Sequence, residues 1–262
     1  MSNLDDMQQQ ITNYWNLRSD SYDASGRHQA TGAEREAWLR ALRALMPPAP
    51  ADVLDVGTGT GFLALLLAEL GYRVTAIDLA EAMMALGQTK SVALVTPPAF
   101  RVGDAVNPPV EPASFDVVTS RHVLWTLRDL PAALANWRRA LRPGGRVVAI
   151  DGLWWLDPKE AAALKTPEPD TWQEKMANYY TDAVKQSLPL MSAQGFEPVL
   201  DQFRAAGFEG VRLSHLEEVE RIEREQNPAM PSYPPRYVVT GTRKNMGYRA
   251  PNKFQMEGRI GE

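Results

Sequence analysis

Short apolar runs alternate with longer amphipathic stretches through the middle of the chain, and the two spacings predict different elements. VLDVG (53–57), RVTAID (73–78), AFRVGD (99–104), FDVVTS (115–120) and RVVAID (146–151) are brief, rich in branched side chains and bounded by turn residues, which predicts strands. Phe62–Leu70, Ala80–Gln88 and Leu130–Leu141 lie between them and are long enough for crossover helices. Strand–helix–strand units of this kind lay their strands parallel, with a right-handed crossover. Pro143, Gly144 and Gly145 are expected to break the last of these helices before its strand.

The flanks follow other patterns. Ile11, Tyr14, Trp15 and Leu17, then Trp38, Leu39, Leu42 and Leu45, recur at helical intervals around a polar stretch at Ser19–Gly32. Residues 1–46 are therefore expected to form a helical flap of two helices and a loop, ended by Pro47, Pro48 and Pro50. Beyond the core at 47–152, Trp154, Trp155, Trp172, Met176, Tyr179, Tyr180 and Met191 stand among polar residues, so 153–192 reads as a helical lid insertion. Within 193–244, Glu197–Ala206 reads as a helix stopped by Gly207, and Val211–Leu216 with Tyr237–Thr242 as an antiparallel hairpin closing the sheet. Residues 245–262 lack any period and are expected to be a loose tail. The fold class is α/β: one domain, with a mostly parallel seven-stranded sheet and helices on both faces.

Composition narrows the function. A chain of 262 residues supports one sizeable core. With 28 Lys+Arg against 32 Asp+Glu, the net charge of -4 argues against a partner held by its phosphate backbone, so no nucleic acid is expected. The absence of Cys excludes disulfides, thiolate metal sites and a cysteine nucleophile, and fits a cytoplasmic protein. His28, His122 and His215 are too widely spaced to suggest a metal cluster. The start, MSNLDDMQQQ, is polar and acidic, unlike a secretory leader. No apolar run approaches the ~20 residues of a membrane span, so no membrane partner is expected. The pattern leaves the oligomeric state open.

The strongest motif is Val53-Leu54-Asp55-Val56-Gly57-Thr58-Gly59-Thr60-Gly61, a strand running into a glycine-rich turn and then a helix. Glycine permits positive φ and lets a ligand approach the backbone closely. Counting from Gly57, the third position of the dinucleotide fingerprint falls on Phe62; counting from Gly59 it matches only formally, at Gly61 and Ala64. A nicotinamide-dependent oxidoreductase is thereby disfavoured, and the missing Gly-Lys-Ser/Thr excludes a phosphate loop. A non-catalytic cofactor-binding protein is the remaining competing reading.

An acidic residue followed by G-x-G-x-G at the end of the first strand, here Asp55, Gly57, Gly59 and Gly61, resembles the class I S-adenosylmethionine-dependent methyltransferases of small-molecule type. The resemblance implies a Rossmann-like fold and S-adenosylmethionine as cofactor, and it is close over residues 50–152. It implies that Asp78 accepts hydrogen bonds from the ribose hydroxyls and that Asp104, in Gly103-Asp104-Ala105, meets the adenine amino group. Both roles suit a carboxylate's lone pairs. It also puts Thr58, Leu79, Met83 and Arg121 beside the cofactor. Leu141–Gly145 precedes the fifth strand as in many members. Tyr14–Ser19 and Tyr22-Asp23 resemble the segment that folds over the methionine end, which implies cofactor contacts by Tyr14 and Tyr22.

Methyl transfer needs alignment above all, and a base only where the acceptor must lose a proton. His122, in Ser120–Trp125 after the fourth strand, is the candidate catalytic base, because imidazole suits that task near neutral pH. The alternative is a loop histidine that only orients the chain or lines the pocket. Trp125 is a candidate substrate contact, and His28 a weaker second one near the flap. Trp154, Trp155 and Tyr180 would suit an aromatic or heteroaromatic small-molecule acceptor, unless they merely cover the sheet edge. Asn107-Pro108-Pro109-Val110 resembles the Asn-Pro-Pro-Tyr motif of amino-group methyltransferases, but it precedes the fourth strand and lacks the aromatic residue, so it reads as a turn. Whether the methyl goes to O, N, C or S is not encoded in these motifs.

Overall fold

A computed structural model describes residues 3–23, 29–152, 176, 178–190, 195–226 and 236–245. β1 (Asp52–Val56) is buried from Val53 through Val56, as a strand covered on both faces must be. It pairs in parallel with β2 (Arg73–Asp78) and with β4 (Phe115–Arg121). β3 (Ala99–Val102) adds to the outer side of β2, and β5 (Leu141–Gly152) to β4. The last two strands, β6 (Phe208–His215) and β7 (Arg236–Arg243), complete a seven-stranded sheet in the order β3-β2-β1-β4-β5-β7-β6. β7 runs antiparallel to both β5 and β6, between them.

Helices cover both faces, each through an apolar stripe. On one face α2 (Gly32–Leu45), α3 (Phe62–Glu69) and α8 (Glu217–Gln226) set Trp38, Leu42, Leu67 and Ile222 against Val53, Val148 and Val238. On the other, α5 (Leu130–Ala140) and α7 (Glu197–Ala205) set Leu134, Trp137 and Phe203 against Leu54, Val118 and Val239. Full burial of side chains of this size contributes about 1.5–3 kcal/mol each. α4 (Glu81–Ser91) follows β2, and α1 (Asn3–Tyr22) lies across it. A third cluster joins Met7, Ile11 and Tyr14 of α1 to Trp125, Tyr180, Val184 and Leu188, the last three in and around α6 (Asp182–Ser187).

Three expectations need adjustment. α1 continues through Ser19 to Tyr22, because the Ser19 hydroxyl turns back to the Asn16 carbonyl at 2.8 Å and leaves the helix unbroken. β5 begins at Leu141, so Pro143, Gly144 and Gly145 do not stand outside it: Leu141 faces Phe115, the next pair is Arg146 with Val117, and the residues between bulge out. β6 and β7 are antiparallel but form no hairpin, since the chain between them contains α8. α8 hides in the sequence because its charged run shows only Val219 and Ile222 as buried contacts. Of the lid insertion, α6 and Tyr180 are described, whereas Trp154, Trp155, Trp172 and Met191 lie outside the described residues, as do residues 246–262 of the tail. No described helix is long and apolar enough to cross a membrane.

Candidate active site

The turn after β1 holds Gly57, Gly59 and Gly61 at φ of +65°, +54° and +83°. A Cβ on Gly57 would stand 2.5 Å from a Val123 methyl, so steric room as well as backbone conformation requires glycine there. Asp55 is buried at the foot of this turn and accepts hydrogen bonds from the hydroxyls of Thr58 at 2.7 Å and Thr119 at 2.8 Å. Burial pushes its carboxyl up to about 6. Asp78, ending β2, accepts the Gly59 amide at 2.7 Å and the Ala80 amide at 2.8 Å. These bonds fix the carboxylate at the rim and leave it acceptor capacity for a ligand. Burial raises its pKa as well.

A cleft opens at the carboxyl ends of β1 to β4, where ligands sit on open α/β sheets. Gly57, Gly59, Asp78, Leu79 and Met83 form one part of its wall, and Gly103, Asp104, Ala105, Arg121 and Tyr22 another. The structure thus brings most of the expected cofactor set together. Asp55 and Thr58 face a smaller adjoining cavity that shares Gly57, Gly59, Tyr22 and Arg121 with the cleft, and Gly61 caps the start of α3. Asn107–Val110 is a turn, with the Val110 amide on the Pro108 carbonyl at 2.8 Å.

α1 closes the cleft with Gln8, Ile11, Thr12 and Trp15, which share one helical face. Tyr14 points away from it and is 2% exposed, edge-on to Trp15 and Tyr180, so this tyrosine packs behind the wall. Two polar ties that no local pattern discloses hold the C-terminal half of α1. The Asn16 side chain accepts the Ala82 amide at 3.1 Å, in the first turn of α4. Asp23 accepts from the Thr60 hydroxyl and from the Lys90 ammonium, each at 2.8 Å.

His122 lines the cleft at φ +58°, a left-handed conformation rare for a residue with a Cβ. Its amide donates to the Ile150 carbonyl at 2.9 Å, and its carbonyl accepts from the Trp125 indole at 3.0 Å. Buried Asp151 at the end of β5 accepts the Leu124 amide at 2.9 Å and so closes the loop. Arg121 lays its guanidinium 3.8 Å from the Phe62 ring centroid. Trp125 and Tyr180 stand behind the wall with Tyr14, their ring centroids 5.3 Å apart. The Tyr180 hydroxyl meets the Thr126 hydroxyl at 2.7 Å and accepts from the Trp15 indole at 3.1 Å, which steadies two residues that do line the cleft. Its burial raises the phenol's pKa. His28 lies outside the described residues, like Trp154 and Trp155.

Asp104 accepts the Val106 amide at 2.8 Å and forms an ion pair with Arg128 through both carboxylate oxygens. The same guanidinium donates to the Gln8 side chain on α1. Sequence reasoning missed Arg128 and Gln8, because neither belongs to a motif and their partners are remote in the chain.

A glycine turn after β1, tight at Gly57 and flanked by carboxylates at the ends of β2 and β3, fits a nucleoside with donors on its sugar and base. A family model described as a methyltransferase domain matches residues 54–149. A ubiquinone/menaquinone biosynthesis C-methyltransferase from Rubrivivax gelatinosus is 30% identical over 214 residues, 80% of this chain and 83% of that protein. A nocamycin O-methyltransferase from Saccharothrix syringae is 32% identical over 214 residues, 73% of this chain and 71% of that protein. A solved S-adenosylmethionine-dependent methyltransferase from Mesorhizobium loti has the same fold, with a TM-score of 0.57 at 19% identity over 81% of this chain and all of that one.

Proposed function

Because the chain belongs to the class I S-adenosylmethionine-dependent methyltransferases, we propose that it methylates a small, ring-bearing, largely apolar acceptor held between α1 and the loop after β4. The observation that carries this reading is the composition of the cleft at the strand ends. Its strand-end side holds Asp78, Asp104 and the glycine turn, and its other side is walled by Ile11 and Trp15 of α1 and by His122, Val123 and Leu127 after β4. The names of the two relatives, one a C-methyltransferase of quinone biosynthesis and the other a nocamycin O-methyltransferase, support a small acceptor and leave carbon and oxygen both open.

When bound, S-adenosylmethionine supplies a methyl group already activated on a sulfonium. The protein's part is alignment and exclusion of water. Asp78 holds the sugar hydroxyls, Asp104 the base amine, and the turn at Gly57–Gly61 admits the nucleoside against the backbone. α1 covers the cleft and presents Trp15 and Ile11 to the acceptor. His122 takes the proton that an acceptor hydroxyl or ring carbon releases as that oxygen or carbon attacks the methyl group.

Calorimetry with S-adenosylhomocysteine tests the cofactor half. Wild type is expected to bind, and Asp78→Asn to bind at least tenfold more weakly (about 1.4 kcal/mol) while keeping its melting temperature. Failure of the wild type to bind at millimolar concentration overturns the reading, and equal affinity in the variant removes Asp78 from the site.

A further inference from the structure

We infer that Arg128 is a positioning residue that makes recognition of the cofactor's adenine depend on α1 being closed. This rests on the cofactor reading above and adds a residue that does not itself line the cleft. Arg128 directly precedes Asp129, whose side chain caps α5 by accepting the Ala132 amide at 2.9 Å, so its backbone is anchored. Its guanidinium grips both oxygens of Asp104, in a pair whose side chains are only 17% and 25% exposed. One of its nitrogens also donates to Gln8. Asp104 and Gln8 both line the cleft, one from the strand end after β3 and the other from α1.

Two consequences follow from the donor count. A carboxylate offers about four lone-pair positions. Arg128 and the Val106 amide fill three of them on Asp104, so the last is held in one direction. An exocyclic amine can donate to it, whereas a carbonyl at the same ring position meets a second acceptor and is rejected. The other consequence concerns α1. Asn16 and Asp23 tie its C-terminal half, and the Gln8–Arg128 bond ties the N-terminal half to the guanidinium that holds Asp104. Closing α1 and orienting Asp104 are therefore one event, joined by a planar fork that lysine cannot reproduce.

The experiment compares S-adenosylhomocysteine with S-inosylhomocysteine, which carries a carbonyl in place of the amine, by calorimetry and stopped-flow dissociation on the full chain. For Arg128→Ala the expected result is about tenfold weaker binding of the adenine ligand and a smaller preference for adenine over hypoxanthine. Arg128→Lys should recover part of the affinity. Gln8→Ala should speed dissociation of both ligands and lower the preference for adenine, though less than Arg128→Ala does, since Asp104 keeps its fork but the fork loses its tie to α1. A purely structural role would lower the melting temperature and weaken both ligands by the same factor, and that outcome overturns the proposal. Wild-type affinity and preference in Arg128→Ala overturn it as well. If Arg128→Ala does not fold, wild-type values in both Arg128→Lys and Gln8→Ala have the same force. A wild type that binds neither ligand sinks the cofactor reading itself, whereas a wild type that binds, with Asp78→Asn impaired and the Arg128 variants unchanged, sinks only the role of Arg128.

Discussion

Among the described non-glycine residues only Ala113 and His122 take a positive φ, +52° and +58°, and His122 does so on the cleft wall. Such a conformation costs on the order of 1–3 kcal/mol and persists where surrounding bonds impose it, here the Ile150 carbonyl and the Asp151 clamp on Leu124. His122→Asn tests the imidazole without disturbing the loop, because asparagine tolerates left-handed backbone. We expect turnover to fall about a hundredfold with affinity for S-adenosylhomocysteine unchanged, measured by steady-state kinetics and calorimetry. Unchanged turnover would leave His122 as a wall residue only. The sequence disclosed this histidine through its place after the fourth strand, and disclosed Asp78 and Asp104 the same way. It could not disclose Gln8, Asn16 or Arg128, since each acts on a partner from another element through a side chain of unremarkable type.

At the scale of elements, the strand–turn–helix unit from Asp52 to Glu69 shows two separate demands on glycine. Gly57 needs both positive φ and empty space, with Val123 2.5 Å from a hypothetical Cβ, whereas Gly59 needs only the backbone conformation, its nearest neighbour being the Met83 methyl at 3.5 Å. Gly57→Ala should therefore cost about 2–4 kcal/mol, strain plus overlap, and Gly59→Ala about 1 kcal/mol. Urea denaturation of the two variants checks the order, and equal losses would refute the steric account. This unit was legible because its branched strand, glycines and apolar helix agree with one another. α8 was not, because it presents Glu217, Glu218 and Glu220 in its first turn and earns its place through two buried side chains that meet α2 only in the folded state. The start of β5 was misread for a related reason: local turn chemistry at Pro143–Gly145 is overridden by pairing of Leu141 with Phe115.

Across the whole molecule, Glu34 of α2, Glu223 of α8 and Arg236 of β7 meet between elements far apart in the chain. Arg236 is 2% exposed, pairs with Glu223 and donates its amide to Glu220 at 2.6 Å. Burial, reinforced by the neighbouring Glu223, pushes the Glu34 carboxyl from its ordinary 4.5 up to about 7, against the opposing pull of Arg236. Asp55 shifts in the same direction, from 3.8 to about 6. For a carboxyl raised on folding, the native state keeps a proton that the unfolded chain has already released. Its stabilising contribution is whole below the ordinary value and is lost as pH rises through the folded one, here between about 4 and 7. The urea midpoint should therefore decline from pH 5 to pH 8, and Glu34→Gln should flatten that decline; an equal slope in both proteins would show that Glu34 does not carry it. The order of the sheet has a further effect, on synthesis. β7 is made after β6 yet lies between it and β5, so a nascent chain emerging from the ribosome can pair β1 to β5 while β6 still has no neighbour to ladder with. Maturation waits for the last strand to slide into the gap, and until then two unsatisfied strand edges face any other chain in reach.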